Sequence, residues 1–167
     1  RLGLELLGAV PEESLLANAT LGQISKSTKG QFINGREKVR RRVKRVVIGA
    51  MNSEHAIGHF GPGTLVITPG DRDDVILAAL SSRALEADNQ TLAGLVLSGD
   101  LLPQEHVRDL INHSDLPVIA SPLDSYTVAS AIHSMTVKTL PGDVEKIDKI
   151  RELIDRHVDL ERLLAGL

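Results

Sequence analysis

Four short apolar runs in the middle of the chain constrain its fold more than any other feature. Val46-Val47-Ile48-Gly49-Ala50, Leu65-Val66-Ile67-Thr68, Leu92-Ala93-Gly94-Leu95-Val96-Leu97 and Pro117-Val118-Ile119-Ala120 lack the apolar–polar alternation of a half-exposed strand. Unbroken apolarity over so few residues suits strands covered on both faces. Between successive runs lie about 14 to 25 residues, enough for a helix to cross back over a sheet. The rhythm predicts right-handed βαβ units: an α/β fold with an open, mostly parallel sheet of about five strands and helices on both faces.

The intervening segments carry helix signals. Asp71 can cap a helix bearing Val75, Ile76, Ala79 and Leu80 at three- and four-residue spacing. Pro103 begins another, with Val107, Leu110 and Ile111 on one face, and Asp124 or Ser125 opens a third through Val128, Ala131, Ile132 and Met135. Pro141-Gly142-Asp143 then breaks the chain before an amphipathic stripe of Val144, Ile147, Ile150, Ile154 and Val158. The apolar set Leu160, Leu163, Leu164 and Leu167 extends that stripe or docks elsewhere. Ahead of the first run, Leu2 to Val10 reads as a strand ended by Pro11. Thr20 and Gln23 have capping-box spacing for a short helix running toward Gly30. The first residue, Arg1, is not an initiator methionine, which leads us to expect an excised or processed chain.

Composition narrows the chemistry. The chain has 167 residues and no cysteine, which excludes disulfides, thiolate catalysis and cysteine zinc sites. No apolar run approaches the roughly 18–20 residues of a membrane span, so no membrane partner and a cytoplasmic location are expected. Phe32, Phe60 and Tyr126 are the only aromatics, too few for the stacking platforms of a single-strand nucleic-acid binder. Seven basic residues fall within positions 36–45, from Arg36 through Lys44 to Arg45, leaving twelve basic against twenty-one acidic residues elsewhere. That stripe is either a phosphate-contacting patch or an exposed loop or edge strand whose charge discourages aggregation. The overall negative charge favours the second reading, so nucleic acid is not an expected partner.

Several catalytic patterns are missing. His55 and His59 have the spacing of a shared metal site, but Ala56 stands where a zinc hydrolase needs glutamate and no third ligand is near in sequence, so no metal site is expected. The chain has no phosphate-cradling glycine loop, no nucleotide-binding Gly-x-Gly-x-x-Gly and no Gly-x-Ser-x-Gly elbow. No cofactor is expected. Gly61-Pro62-Gly63 precedes a strand and reads as a turn, and Ser98-Gly99-Asp100 reads as a strand-ending turn more readily than as a nucleophile.

Polar residues gather instead at the carboxyl ends of the strands, where parallel sheets bind ligands. They fall in Met51-Asn52-Ser53, Thr68-Pro69-Gly70-Asp71-Arg72, Ser98-Gly99-Asp100 and Ser121-Pro122-Leu123-Asp124-Ser125. The candidate ligand-binding set is Thr68, Gly70, Asp71, Arg72, Ser98, Gly99, Asp100, Ser121, Asp124 and Thr127. Helix amino-termini at this rim favour an anion, Asp71, Asp100 and Asp124 oppose one, and Arg72 is the nearest cation in sequence. The alternatives are a helix cap for Asp71 and an ion pair to Asp100 or Asp124 for Arg72.

Val46-Val47-Ile48-Gly49-Ala50-Met51, the stretch Gly63-Thr64-Leu65-Val66-Ile67-Thr68-Pro69-Gly70-Asp71-Arg72-Asp73-Asp74, and Leu92-Ala93-Gly94-Leu95-Val96-Leu97-Ser98-Gly99 closely resemble the DRTGG domain. The similarity continues through Leu116-Pro117-Val118 and Asp124-Ser125-Tyr126-Thr127 and covers roughly Thr20 to Ser134. Of the five residues that name the domain, Asp71 and Arg72 match, while Asp73-Asp74-Val75 stand in place of Thr-Gly-Gly. The resemblance is greatest to phosphotransacetylase-family proteins with a dethiobiotin-synthetase-like amino-terminal ATPase domain. It implies a fold like the HPr kinase amino-terminal domain. It also implies three parts: residues 1–19 as a residual strand and linker from a preceding ATPase-like domain, 20–140 as the DRTGG-like domain, and 141–167 as carboxy-terminal amphipathic helices. It further implies a noncatalytic regulatory module that pairs as a homodimer, sits beside an ATPase-like domain and senses a small anionic metabolite. The alternative is part of an enzyme in acetyl-phosphate or nucleotide chemistry that needs its ATPase neighbour.

Overall fold

The computed structural model describes residues 6–84, 92–139 and 141–165. In chain order the elements are α1 (Ser14–Ala17), α2 (Leu21–Ser27), β1 (Gln31–Asn34), a 3-10 turn (Arg36–Lys38), β2 (Arg45–Ile48), α3 (Ser53–Ile57), β3 (Thr64–Pro69), α4 (Asp73–Ala84), β4 (Gly94–Ser98), α5 (Glu105–Asn112), β5 (Val118–Ala120), α6 (Ser125–His133), α7 (Val144–His157) and α8 (Leu160–Ala165). They fall into two compact units, one of residues 18–136 and one of 1–17 with 137–167.

The larger unit holds one five-stranded sheet in the order β1-β5-β4-β3-β2. The four expected apolar runs form β2 to β5, all parallel and neighbouring in chain order, with Val46 opposite Leu65, Leu65 opposite Gly94 and Leu95 opposite Val118. Crossovers of one hand between consecutive neighbours put their helices on one face. Accordingly α4 contacts both α3 and α5, and Val75, Ile76, Val107 and Ile111 join Val66, Leu95, Leu97 and Val118 in the main core. Each such fully buried aliphatic side chain contributes about 1.5–3 kcal/mol. The other face is covered by α6, which contacts β2, β3 and α2. The helices on that face bury Leu21, Ile24 and Val128 fully.

The fifth strand differs from expectation. Of Leu2 to Val10, residues 2–5 lie outside the described residues, and 6–10 supply only an isolated antiparallel bridge from Gly8 to Val158. The fifth strand is β1, which returns antiparallel along β5 with a register shift between Phe32 and Asn34. Asn34 secures that shift, its amide donating to the carbonyls of Ser114 and Leu116 at 3.0 and 2.8 Å. The expected capping box forms: Thr20 Oγ1 accepts from Gln23 N–H while Gln23 Oε1 accepts from Thr20 N–H, starting α2. The basic stretch runs through the 3-10 turn into β2, an edge strand, where charge blunts a free ladder. Lys38 there pairs with Asp115 at 3.2 Å, Arg41 donates to the Leu92 carbonyl at 3.1 Å and Arg45 to that of His59.

In the smaller unit α7 spans most of the predicted stripe, but Val144 is exposed, Ile147, Ile150 and Ile154 are half-buried, and Val158 falls just beyond the helix. The buried apolar residue of α7 is Leu153, which the stripe omitted. Its Lys146 is buried too, the ammonium donating to the Leu16 carbonyl at 2.8 Å. The last apolar set forms the separate α8, with Leu160, Leu163 and Leu164 exposed, while Leu167 lies outside the described residues. No described helix is long and apolar enough to cross a membrane.

Candidate functional site

The loops after β2, β3, β4 and β5 share one rim, and most of the polar residues expected to bind there are engaged in stitching it together. Gly70 N–H donates to the Ser98 carbonyl at 3.1 Å. A side chain at Gly70 would put its Cβ 1.8 Å from the Leu101 carbonyl oxygen, so only glycine permits this approach. Gly99, at φ +88°, donates to the Leu123 carbonyl at 2.8 Å, and Asp100 N–H donates to that of Ser121 at 3.2 Å. The hydroxyls of Ser98 and Ser125 lie 2.7 Å apart. Ser121 Oγ donates to the Thr28 carbonyl at 2.7 Å and accepts from Leu123 N–H at 3.2 Å. Asp124 caps α6, accepting from the backbone N–H of Thr127 at 3.0 Å and from its hydroxyl at 2.5 Å. Those bonds, the hydroxyl's foremost, hold its carboxyl below the usual aspartate range.

Arg72 is occupied as well, though not by the expected partners. Its guanidinium grips Asp74 through Nε at 2.8 Å and Nη2 at 3.0 Å, and Nη2 also donates to the Met51 carbonyl at 2.9 Å. The hydrogen bond to Asp74 raises the arginine pKa and lowers that of the aspartate. Asp71 is exposed, and the helix begins one residue later than its capping role requires: the Arg72 carbonyl accepts the first α-helical bond, from Ile76 N–H at 3.1 Å. Thr68 is fully buried and its hydroxyl has no hydrogen-bond partner. His55 bonds Asn52 at 2.6 Å and His59 lies beyond the end of α3. Among the described residues no cluster of three His, Asp or Glu side chains could hold a metal.

Space opens where the connections part. The chain leaving β4 turns to the face of α5, whereas the chain leaving β5 turns to the face of α6. Such a divergence between neighbouring parallel strands creates a crevice. A cavity of about 410 Å³ lies there, lined by Lys29, Gln31, Ile33, Asp100, Leu101, Leu102, Ala120, Ser121 and Pro122. A second recess of about 180 Å³ shares Ile33 and Leu102 and adds Arg108, Ile111 and Asn112. Of the ten residues expected from sequence, Asp100 and Ser121 line the cavity. The cations at the two recesses are Lys29 and Arg108, not Arg72. Sequence reasoning missed Lys29 because only the antiparallel return of β1 carries it to the end of β5; its one local signal is the following Gly30, a strand start.

Residues 23–135 match the DRTGG domain. The chain belongs to the DRTGG domain family. This DRTGG domain is similar to a phosphate acetyltransferase of Pseudomonas aeruginosa, 33% identical over 162 residues that make up 95% of the chain and 22% of the relative. It is likewise 31% identical over 163 residues to the phosphate acetyltransferase of Nitrosomonas europaea, covering 96% of the chain and 23% of that protein. The chain therefore spans less than a quarter of the length of these relatives. The fold is similar to that of the CBS and DRTGG domains of the regulatory region of Clostridium perfringens pyrophosphatase, solved with its activator diadenosine tetraphosphate. The TM-score is 0.56 at 20% identity, over 90% of this chain and 65% of that one. Where this DRTGG domain departs from the residues that name the family, two of the three replacements have structural employment, Asp74 holding Arg72 and Val75 fully buried in the core, while Asp73 keeps a buried carboxylate oxygen without a hydrogen-bond partner.

Proposed function

We propose that the chain is a noncatalytic regulatory and dimerising module of a phosphotransacetylase-like multidomain protein, sensing a small anionic metabolite. The observation that carries this reading is the crevice between β4 and β5, which has uncommitted charged side chains at its mouth and, among the described residues, no nucleophile–base pair around it. Ser98 meets another serine hydroxyl rather than a base. The regulatory setting and nucleotide activator of the pyrophosphatase relative support the same class of role. The neighbour in the parent chain is an ATPase-like domain, as the resemblance to phosphotransacetylases implies.

Incubation of the pure chain with ATP, acetyl phosphate and coenzyme A is expected to give no product above blank. A thermal-shift panel of acetyl phosphate, nucleotides, pyruvate and nicotinamide cofactors is expected to give at least one saturable rise in melting temperature. Turnover that survives repurification, or a panel without any shift, refutes the reading.

A further inference from the structure

We propose that the β4–β5 crevice binds a nucleotide, with Lys29 receiving its phosphate and Asp100 its ribose hydroxyls. The inference deepens the metabolite-sensing reading and rests on it. Lys29 and Asp100 are the two non-glycine residues with positive φ among the described residues, at +52° and +56°. Lys29 ends α2 in a left-handed helix cap, its N–H donating to the Lys26 carbonyl and that of Gly30 to the Ser25 carbonyl. Asp100 sits in the turn that leaves β4, its N–H on the Ser121 carbonyl, so hydrogen-bonded turns fix where both side chains leave the backbone. Here both project opposite charges into one cavity, yet neither side chain has an ion pair or hydrogen bond of its own. Both are exposed at the mouth of the cavity, and two uncommitted charges of opposite sign there suit a ligand that presents an anion to one and hydrogen-bond donors to the other.

Size and lining narrow the class further. The cavity of about 410 Å³ falls in the range of about 300–1,000 Å³ that drug-sized ligands fill, so a bare phosphate or acetyl phosphate would leave most of it empty. Ile33, Leu101 and Leu102 give an apolar bed for a base. The recess beyond Ile33 and Leu102 offers Arg108 and Asn112 to the polar edge of a ring. A carboxylate accepting from a ribose diol is a common element of nucleotide recognition. Lys29 and Asp100 balance within the cavity, and Arg108 in the adjoining recess makes the two recesses together net positive, which suits an anionic ligand.

The test is calorimetric titration of the chain with AMP, 2′-deoxy-AMP, adenosine, inorganic phosphate, acetyl phosphate and leucine. AMP is expected to bind at least about tenfold more tightly than adenosine or phosphate, and several-fold more tightly than 2′-deoxy-AMP. Lys29→Gln is expected to erase most of the AMP–adenosine difference. Asp100→Asn, which tolerates the left-handed backbone, is expected to erase the ribose–deoxyribose difference, both variants keeping the parent melting temperature. AMP binding that is indifferent to both substitutions overturns the inference. Binding of acetyl phosphate or leucine without nucleotides also overturns it while leaving metabolite sensing intact. Silence from every ligand removes both readings.

Discussion

Arg72 stands at the amino-terminal edge of α4, where a guanidinium could face a ligand or its own chain, and its contacts are with its own chain. It holds Asp74 two residues on and the Met51 carbonyl across the rim. With the two side chains 31% and 43% exposed, solvent screening keeps such a pair to at most about 1 kcal/mol. Arg72→Ala is therefore expected to lower the melting temperature by about 2–4 °C and to leave any nucleotide response in place. Asp74 has a depressed folded pKa, so its share of stability is present above the ordinary aspartate value and fades as pH falls through the folded one. The gap between parent and Arg72→Ala melting temperatures is expected to be full at pH 7 and to close as pH falls below the ordinary aspartate range. Arg72 was legible as a residue of consequence. Its partner was not, because the sequence offered Asp100 and Asp124 on neighbouring loops and the hydrogen bond went to Asp74 in the first turn of α4.

At the scale of elements, the end of β2 meets the start of α4 through Gly49 and Val75. A Cβ on Gly49 would lie 3.0 Å from Val75 Cγ1 and 3.4 Å from Thr68 Cβ, tight enough to force the valine to move. Gly49→Ala is expected to destabilise the domain by about 1–3 kcal/mol, measured by urea unfolding. Val75→Ala alone costs a cavity, but in the double variant the penalties are expected to fall short of their sum by at least about 0.5 kcal/mol, the mark of direct coupling. Strict additivity would show that the two do not press on each other. The strands β2 to β5 were readable because burial on both faces writes itself as an unbroken apolar run. The strand β1 was not, since Gln-Phe-Ile-Asn is four residues long and three of the four are only partly buried. Its pairing is set by β5 and by the carbonyls of Ser114 and Leu116 that hold Asn34, all of them distant in sequence.

For the whole molecule, the sequence carried the α/β class, the parallel sheet and the strand-end rim where polar residues converge. Strand order was beyond its reach, because a right-handed crossover can place the next strand beside its predecessor or further away. The position of the cavity followed from that order, so Asp100 and Ser121 were identifiable as strand-end residues while Lys29 was not. Val144, Leu160, Leu163 and Leu164 remain exposed in the smaller unit, in keeping with the proposed pairing of two chains. Sedimentation at micromolar concentration is expected to give about twice the 18.0 kDa chain mass, and a monomer throughout the range would remove the dimer from the proposal. The antiparallel strand β1 has a consequence for signalling. It is the outermost strand on its side and supplies Gln31 and Ile33 to the crevice, with Lys29 just before it. The crevice is therefore complete only while that strand is docked. A ligand there favours docking by RT ln(1 + [L]/Kd), about 2.7 kcal/mol at a hundredfold excess over Kd. On the proposed binding, amide hydrogen exchange along Gln31–Asn34 is expected to slow with occupancy while β3 and β4 keep their rates, making the sheet's own margin the readout of occupancy.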